Sequence, residues 1–530
     1  MAAPMEDVSC AQKPTEDENN CTVEATVVTG FEEVAAEEAE ERFNTKCKIL
    51  RGRISIKCPI DKVEQVTDLG CVDNCRVVMT QVVDFKFTQD QNENLQRLRN
   101  LVGSVDWPSG LKIWRKFFSF EHAVADYPDE ITTDFGEVVI PPPRQTSPGE
   151  KLSRRAKKRN KRNKRFENRR EERDKKQSHV CADENESKTE LEIDKACSDK
   201  NDKIDEVIEP SHTEEIENLE IVAKKPRVRE NPWNPMMPSF RVTCHRVGNN
   251  HNFDSMTAAS NFGGAIYRYF GWNVKLTEFD IEVILGIDDN DVTVSLGLTK
   301  ESLHRRNISH FGPTTLRPTI AYGMLRLCDI KKGDVVCDPM CGTGSIPLQG
   351  ASRWPYSFNL AGEIGKRALQ RCYGNIQDLD EKRKQENMSS MLLDAVRWDV
   401  CNLPMRDQSV DAFVTDLPFG VRMGSKVNNW TLYPGALFEM ARVVKPGGRC
   451  CLLTEDKKCM VKTLLYIGKY WKRTKTLGVN IGGLAGGIYV LMRTVEPFDK
   501  NVNRDIFAAK GKKGDKFQIP PSPDSNREDN

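Results

Sequence analysis

One apolar stretch that ends in a glycine-rich turn decides the fold: Asp334-Val335-Val336-Cys337-Asp338-Pro339-Met340-Cys341-Gly342-Thr343-Gly344. Residues 334–337 predict a short buried strand, and a helix is predicted to begin near Ser345. The two glycines let the main chain approach a ligand closely, and the next helix presents its N-terminus to that ligand. The turn lacks the third glycine of a dinucleotide fingerprint, and no Gly-Lys-Ser/Thr follows, so both of those phosphate-binding interpretations are weak.

Strand–helix units repeat downstream of this turn. Strands are predicted over 358–362, 410–415 and 449–454, helices over 366–376 and 432–444, and a final hairpin over 476–480 and 488–492. This alternation predicts an α/β domain with a mostly parallel, Rossmann-like sheet and helices on both faces. In such sheets, ligands bind at the carboxyl ends of the strands.

Two acidic residues downstream of the glycine-rich turn are candidates for holding a ribose and an adenine. Glu363 comes just after the second strand, where an acid can accept both hydroxyls of a ribose; an exposed surface glutamate is the alternative. Asp399 comes after Arg397-Trp398, ahead of the strand predicted over 410–415, and can accept from an adenine amino group. The alternative for Asp399 is a turn or helix-capping aspartate.

The segment Asp416-Leu417-Pro418-Phe419, at the end of a very apolar strand, indicates the reaction. The amino group on a nucleobase is a poor nucleophile because its lone pair is delocalised into the ring. A carboxylate and a main-chain carbonyl can hold its two hydrogens and favour a pyramidal nitrogen. Pro418 fixes φ and stiffens the turn, and Phe419 can stack on a base, worth roughly 1–3 kcal/mol. A strand-end turn with a buried phenylalanine is the alternative.

The upstream half of the chain has a different pattern. Residues 21–85 alternate strand, helix, strand, helix, strand, which predicts a ferredoxin-like α+β unit. A second α+β segment begins at Ser239. Between them, residues 151–176 hold fifteen Lys or Arg against four acids, and residues 183–220 hold fifteen acids against four Lys. This composition predicts a disordered insert. Its basic part is a candidate phosphate contact or nuclear address, and a solvated linker is the alternative.

Composition excludes several classes of protein. The 530 residues include 79 basic and 78 acidic side chains, and no stretch reaches the ~18 consecutive apolar residues of a membrane span. The N-terminus is acidic and lacks the apolar core of a secretory signal. The seventeen cysteines contain no C-x-x-C pair, so reduced thiols are favoured over a structural zinc site. We therefore predict no metal and a cytoplasmic protein, with nuclear entry left open by the basic run.

These motifs carry a family resemblance. The block Asp338–Gly344, with Glu363, Asp399 and the segment 416–419, resembles class I S-adenosylmethionine-dependent methyltransferases that methylate amino groups. Residues 241–246 and 303–306 resemble the THUMP RNA-binding module. Together with residues 310–318, the chain is similar to the THUMP-domain tRNA guanine-N2-methyltransferases over 22–120 and 239–495. The domains it implies are a tail (1–21), a ferredoxin-like domain (22–120), the charged insert (121–238), a THUMP core (239–308), the methyltransferase domain (309–495) and a second tail (496–530).

The resemblance also implies residue roles. It assigns S-adenosylmethionine binding to Asp338, Gly342, Gly344, Glu363 and Asp399, and the target base to Asp416, Leu417, Pro418 and Phe419. Two departures from the family pattern are Glu363, where aspartate is common, and Leu417, which replaces the first proline of the commoner motif. For phosphate contacts we select Arg305 and Arg306, with surface arginines as the alternative.

The implied product is N2-methylguanosine in the tRNA acceptor stem, at position 6 with position 7 as a second candidate. The implied partner is a small zinc-binding activator subunit shared by several methyltransferases, in a heterodimer. Two other functions stay open on the sequence alone. One is a non-catalytic THUMP RNA-binding protein; the other is a methyltransferase of another structured RNA, such as a small nuclear RNA, or of adenine N6.

Overall fold

Two β-sheets organise the chain in a computed structural model that describes residues 19–120, 233–249, 251–420 and 424–499. Most of the predicted insert and tails therefore lies outside the described residues. No helix in these ranges is both long and apolar enough to cross a membrane.

The first sheet has eight strands in the order β2-β3-β1-β4-β8-β7-β5-β6. The strands are β1 (Asn20–Val27), β2 (Cys47–Leu50), β3 (Arg53–Pro59), β4 (Val72–Val82), β5 (Ser239–Val247), β6 (Asn273–Val274), β7 (Ile281–Asp288) and β8 (Asp291–Gly297). Strand β4 pairs antiparallel with β8, with Arg76 opposite Gly297. The two α+β segments that the sequence indicates therefore share one continuous sheet, which the insert interrupts only in sequence.

Within the described residues, four α-helices accompany this sheet: α1 (Glu32–Phe43), α2 (Gln91–Asn100), α3 (Trp107–Phe117) and α4 (Ser255–Phe270). The sequence pattern missed both α2, where apolar residues are sparse, and α3, which buries Trp107, Leu111, Ile113 and Trp114. Each begins at an aspartate cap: Asp90 accepts from the Asn92 N–H, and Asp106 accepts from the Ser109 N–H. The second helix of the strand, helix, strand, helix, strand pattern predicted near the N-terminus is a 3₁₀ helix, Ile60–Asp68.

The second sheet has seven strands in the order β11-β10-β9-β12-β13-β15-β14. The strands are β9 (Val335–Asp338), β10 (Phe358–Gly362), β11 (Leu393–Val396), β12 (Val410–Asp416), β13 (Val444–Thr454), β14 (Trp471–Ile481) and β15 (Leu484–Arg493). Strands β9 to β13 run parallel, and β15 and β14 are antiparallel. The helices are α5 (Pro318–Arg326), α6 (Ser345–Arg353), α7 (Lys366–Gln385), α8 (Lys426–Val443) and α9 (Lys457–Ile467). The predicted Rossmann-like sheet is confirmed.

The two sheets are joined by close packing. A Cβ on Gly323 of α5 would lie 2.5 Å from the Phe31 ring, and a Cβ on Gly70 would lie 2.3 Å from the Tyr322 ring. The Asn480 N–H donates to the Thr29 carbonyl at 3.0 Å. Interlocking of this kind leaves little room for sliding, so the first sheet holds a fixed place beside the second.

Candidate active site

The turn after β9 has the backbone conformation that its glycines predict. Gly342 has φ +56° and Gly344 has φ +89°, a region that residues with a Cβ rarely adopt. A Cβ on Gly344 would lie 2.7 Å from the Cys372 sulfur, whereas no atom lies within 4 Å of the Cβ position on Gly342. The turn is therefore packed on one side and open beside Gly342, as a ligand cradle requires.

Asp338 lies at the carboxyl end of β9, where it is 3% exposed. Its Oδ1 accepts from the Met340 N–H at 3.2 Å. Burial raises the pKa of Asp338 to about 7, and the nearby charge of Glu363 adds to that rise. A cationic group placed beside this carboxyl would favour its ionised form.

Glu363 follows β10 and ties the glycine-rich turn to the next strand. Its Oε2 accepts from the Gly342 N–H at 3.0 Å, and its Oε1 accepts from the Gly365 N–H at 2.6 Å. Each carboxylate oxygen can accept a further hydrogen bond. The structure therefore gives this side chain a part in shaping the turn, and it leaves acceptor capacity for a pair of hydroxyls.

Asp399 lies beyond β11 in an exposed turn. Its Oδ1 accepts from the Cys401 N–H at 3.0 Å, which is the turn role that sequence analysis gave as the alternative. The preceding Trp398 is buried; its Nε1 donates to the Pro339 carbonyl at 3.1 Å, and its ring lies against Gly362. Trp398 therefore braces the glycine-rich turn, a role the sequence pattern did not indicate.

Asp416 ends β12, beside β9 in the sheet. Its Oδ1 is buried and has no hydrogen-bond partner among the described residues. Burial raises the pKa of Asp416 to about 8, with the charge of Asp338 adding to the effect. An unpartnered buried carboxyl oxygen costs stability, so a ligand N–H would find a ready acceptor here.

Two hydrogen bonds to neighbouring elements fix the turn after Asp416. The Leu417 N–H donates to the Leu453 carbonyl at 2.9 Å. The Tyr433 hydroxyl donates to the Pro418 carbonyl at 2.7 Å and lies 2.7 Å from the Thr454 Oγ1. Phe419 is half-buried. Sequence reasoning missed Tyr433, because nothing in the pattern of α8 indicates which face meets the turn.

Asn375 is a second residue that sequence reasoning missed. It is 1% exposed on α7, and its Nδ2 donates to the Thr343 carbonyl at 2.9 Å and to the His310 carbonyl at 3.1 Å. Its Oδ1 accepts from the His310 N–H at 2.7 Å. The segment before α5 is thereby fastened to the glycine-rich turn.

Cys341, within the glycine-rich turn, is a buried thiol. A hydrogen bond with Cys372 and burial together raise the pKa of Cys341 well above its ordinary value. The thiol therefore stays protonated at neutral pH and acts as a small packing group. The fourteen cysteines of the described residues are all free thiols.

The two arginines selected for phosphate contacts have different surroundings. Arg305 is exposed. The Arg306 guanidinium donates to three carbonyls, those of Leu303 at 3.0 Å, Leu69 at 3.0 Å and Val72 at 2.9 Å. Arg306 thus holds the segment 303–306 against the first sheet, while Arg305 remains directed to solvent.

The site fits a cationic cofactor with a ribose. The turn is open beside Gly342, Glu363 has acceptor capacity, and neither Asp338 nor Asp416 has an ion-pair partner among the described residues. A Rossmann-like sheet with these groups at its carboxyl edge defines a class I S-adenosylmethionine-dependent methyltransferase, and the THUMP module makes RNA its substrate class.

Comparisons with known proteins agree. The family model described as RMKL-like, methyltransferase domain, matches residues 305–485, and the THUMP domain model matches residues 219–297. The chain is 40% identical to the mouse tRNA (guanine(6)-N(2))-methyltransferase THUMP3, covering 91% of this chain and 92% of that protein, and 40% identical to the human protein, covering 91% and 90%. The chain belongs to this family of THUMP-domain methyltransferases.

Solved structures share the fold. The crystal structure of TrmN from Thermus thermophilus has a TM-score of 0.57 at 18% identity, covering 89% of this chain and 99% of that one. The structure of SMU.472 complexed with SAH has a TM-score of 0.54 at 11% identity, covering 91% and 100%. Identities this low support the architecture, and the family assignment depends on the sequence relatives.

Proposed function

We propose that this chain transfers a methyl group to N2 of a guanosine in the acceptor stem of tRNA, at position 6 with position 7 as a second candidate. The names of its THUMP3 relatives support guanosine 6 of tRNA as the substrate. The observation that carries the proposal is the buried, unpartnered Oδ1 of Asp416 beside a turn whose Pro418 carbonyl is held by Tyr433.

The proposed chemistry needs no covalent intermediate. S-adenosylmethionine supplies a methyl group on a positively charged sulfur. In its ionised form, Asp416 would accept an N–H of the guanine amino group, which frees the nitrogen lone pair. As the new nitrogen–carbon bond forms, the bond between the methyl carbon and the sulfur would break to leave S-adenosylhomocysteine, and Asp416 would take the proton that the nitrogen releases. Phe419 stacks on the base, and Leu417 and Pro418 fix the turn. We propose the cofactor contacts as Asp338, Gly342, Gly344, Glu363 and Asp399.

Identification of the modified nucleoside tests the proposal. Transcribed tRNA is incubated with full-length chain and labelled donor, with and without the activator subunit, and is then digested to nucleosides and mapped by mass spectrometry. We expect N2-methylguanosine at position 6 or 7. N6-methyladenosine, or no methylated nucleoside with the activator present, would contradict the proposal.

U6 small nuclear RNA is the second substrate in this experiment. The human U6 snRNA (guanine-N(2))-methyltransferase THUMPD2 is 29% identical over 41% of this chain. That relative matches much less of the chain than the THUMP3 proteins do, so we expect little or no methylation of U6 RNA.

We further propose a heterodimer with the small zinc-binding activator, docked on the edge strand β11. This strand pairs on one side only, with β10, among the described residues. Exposed apolar side chains surround it, including Ile364 (61% exposed), Tyr373, Leu392 (48% exposed) and Val396. An unpaired edge with apolar neighbours is a surface that partner strands use, which supports docking there.

Leu392→Asp is therefore expected to weaken activator binding at least ~10-fold, since a charge in the core of an interface is costly. The measurement is calorimetric affinity, with Met256→Asp on α4 as the control, because Met256 is equally apolar and 80% exposed. Unchanged affinity in Leu392→Asp would reject β11 as the docking edge. We keep the cytoplasm as the proposed compartment of the complex.

Arg305 supplies a prediction about tRNA recognition. Because phosphate contacts release counterions, Arg305→Ala is expected to reduce the slope of log affinity against log salt by about 1. Arg306→Ala should instead lower the melting temperature, since it leaves three carbonyls without their donor. Binding titrations at several salt concentrations measure the slope. An unchanged slope in Arg305→Ala would remove it from the interface.

A further inference from the structure

Glu455 lies on the side of Asp416 that faces away from the proposed cofactor contacts. Those contacts follow β9, β10 and β11, whereas Glu455 comes directly after β13, the neighbour of β12 on the other side. Strands β12 and β13 run parallel with Asp416 opposite Leu453, so Glu455 lies two residues further along the same edge. This is the side of the sheet left for the target base.

The main chain around Glu455 is fixed close to the catalytic turn. The Tyr433 hydroxyl is 2.7 Å from both the Pro418 carbonyl and the Thr454 Oγ1, which brings the residue before Glu455 next to the turn. On its other side, Asp456 caps α9 by accepting from the Cys459 N–H, and its Oδ2 accepts from the Asn429 Nδ2 at 3.2 Å. The residues on both sides of Glu455 are therefore held by hydrogen bonds, whereas the Oε2 of Glu455 itself has none.

One oxygen of the Glu455 carboxylate lacks a hydrogen-bond donor. Its Oε2 is buried and has no hydrogen-bond partner, and no lysine or arginine pairs with it in the part of the chain that the structure describes. A buried acceptor without a donor is destabilising, and structures retain such groups at ligand sites. A ligand that presents an N–H or O–H beside this oxygen would supply the missing donor.

We propose that Glu455 selects guanine by accepting its N1–H while Asp416 accepts from the neighbouring amino group. This inference rests on the proposed function. On guanine, N1–H and the 2-amino group are adjacent donors on one edge, so two neighbouring carboxylates match them. Adenine presents a bare nitrogen acceptor at N1, which would leave the carboxylate unpaired and repelled. Asp416 supports transfer to an amino group, and Glu455 decides which purine carries it.

The test compares two target bases that both carry a 2-amino group. Full-length chain with the activator is given tRNA holding either guanosine or 2-aminopurine at the position that the wild type methylates; 2-aminopurine lacks N1–H. We expect wild-type kcat/KM to favour guanosine by ~10²-fold or more. In Glu455→Ala the ratio should fall to within a few-fold of 1, mostly through loss of activity on guanosine.

Two further variants separate selection from folding. Glu455→Gln keeps the shape of the side chain, and its amide can donate to the bare N1 of 2-aminopurine, so its ratio should fall at least 10-fold even if Glu455→Ala folds poorly. Glu386→Gln, at the exposed end of α7, is the matched control and should keep the wild-type ratio. A merely structural role would lower both rates equally.

The outcomes are distinguishable. If the wild type methylates guanosine and both Glu455 variants keep its preference for guanosine over 2-aminopurine, the assignment of Glu455 is wrong and the proposed function stands. If the wild-type complex methylates no guanosine at all, the proposed function fails, and this inference fails with it.

Discussion

Asp416→Asn is expected to lower kcat by ~10²–10⁴-fold, because the amide cannot take the proton that the guanine nitrogen releases. Cofactor affinity should change little, since the proposed cofactor contacts lie on β9, β10 and β11. Single-turnover rates and calorimetry with S-adenosylhomocysteine measure the two quantities separately. Asp416→Ala should behave alike. Wild-type turnover in either variant would remove Asp416 from the reaction.

Asp416→Asn is also expected to change the stability of the folded chain. The pKa of folded Asp416 is about 8, above its ordinary value of 3.8, so between these values the folded chain holds a proton that the unfolded chain has lost. Stability therefore falls as pH rises through this window. Asn does not titrate, so Asp416→Asn should melt higher than the wild type, by more at pH 8 than at pH 5. Each 1 kcal/mol corresponds to about 2–4 °C.

Gly362→Ala is the second variant with a large expected effect. Its Cβ would lie 1.9 Å from two atoms of the buried Trp398 ring, which must move and break the bond from its Nε1 to the Pro339 carbonyl. Overpacking of this kind costs about 1–3 kcal/mol or more. Because Pro339 begins the glycine-rich turn, cofactor affinity should also fall at least ~10-fold.

Gly264→Ala is the matched control for this variant. Gly264 lies inside α4, and no atom lies within 4 Å of its Cβ position. The change should stabilise the chain slightly, by about 0.5–1 kcal/mol, because alanine is the better helix former. If Gly362→Ala binds S-adenosylhomocysteine as the wild type does, Trp398 does not brace the turn and this part of the account is wrong.

The sequence predicted those parts of the site that depend on chain order. Asp338, Glu363 and Asp416 follow strands in sequence, and parallel strands bring their carboxyl ends to one edge, so their neighbourhood follows from the alternating pattern. Tyr433 and Asn375 reach the site from helices, and their roles depend on how each helix is rotated against the sheet. The spacing of apolar residues indicates which face of a helix is buried. It does not reveal which polar side chain on that face donates a hydrogen bond to a main-chain carbonyl.

Contacts between residues far apart in the sequence are the second feature that local sequence patterns do not predict. The sequence indicated two α+β segments separated by the insert, and the structure joins them through the pairing of β4 with β8. The surroundings of Arg306 also depend on such contacts. Its guanidinium donates to the carbonyls of Leu69 and Val72, which lie more than two hundred residues earlier in the chain. Local patterns do not specify such partners, so the contacts that Arg306 makes with the first sheet do not follow from the sequence.

A crystal structure of the chain with S-adenosylhomocysteine tests the central claim most directly. We expect the ligand against the turn 338–344, with its ribose hydroxyls on Glu363, and a free hollow beside Asp416 large enough for a purine. Density for the ligand elsewhere, or a hollow filled by the protein's own side chains, would contradict the account and leave only an RNA-binding scaffold.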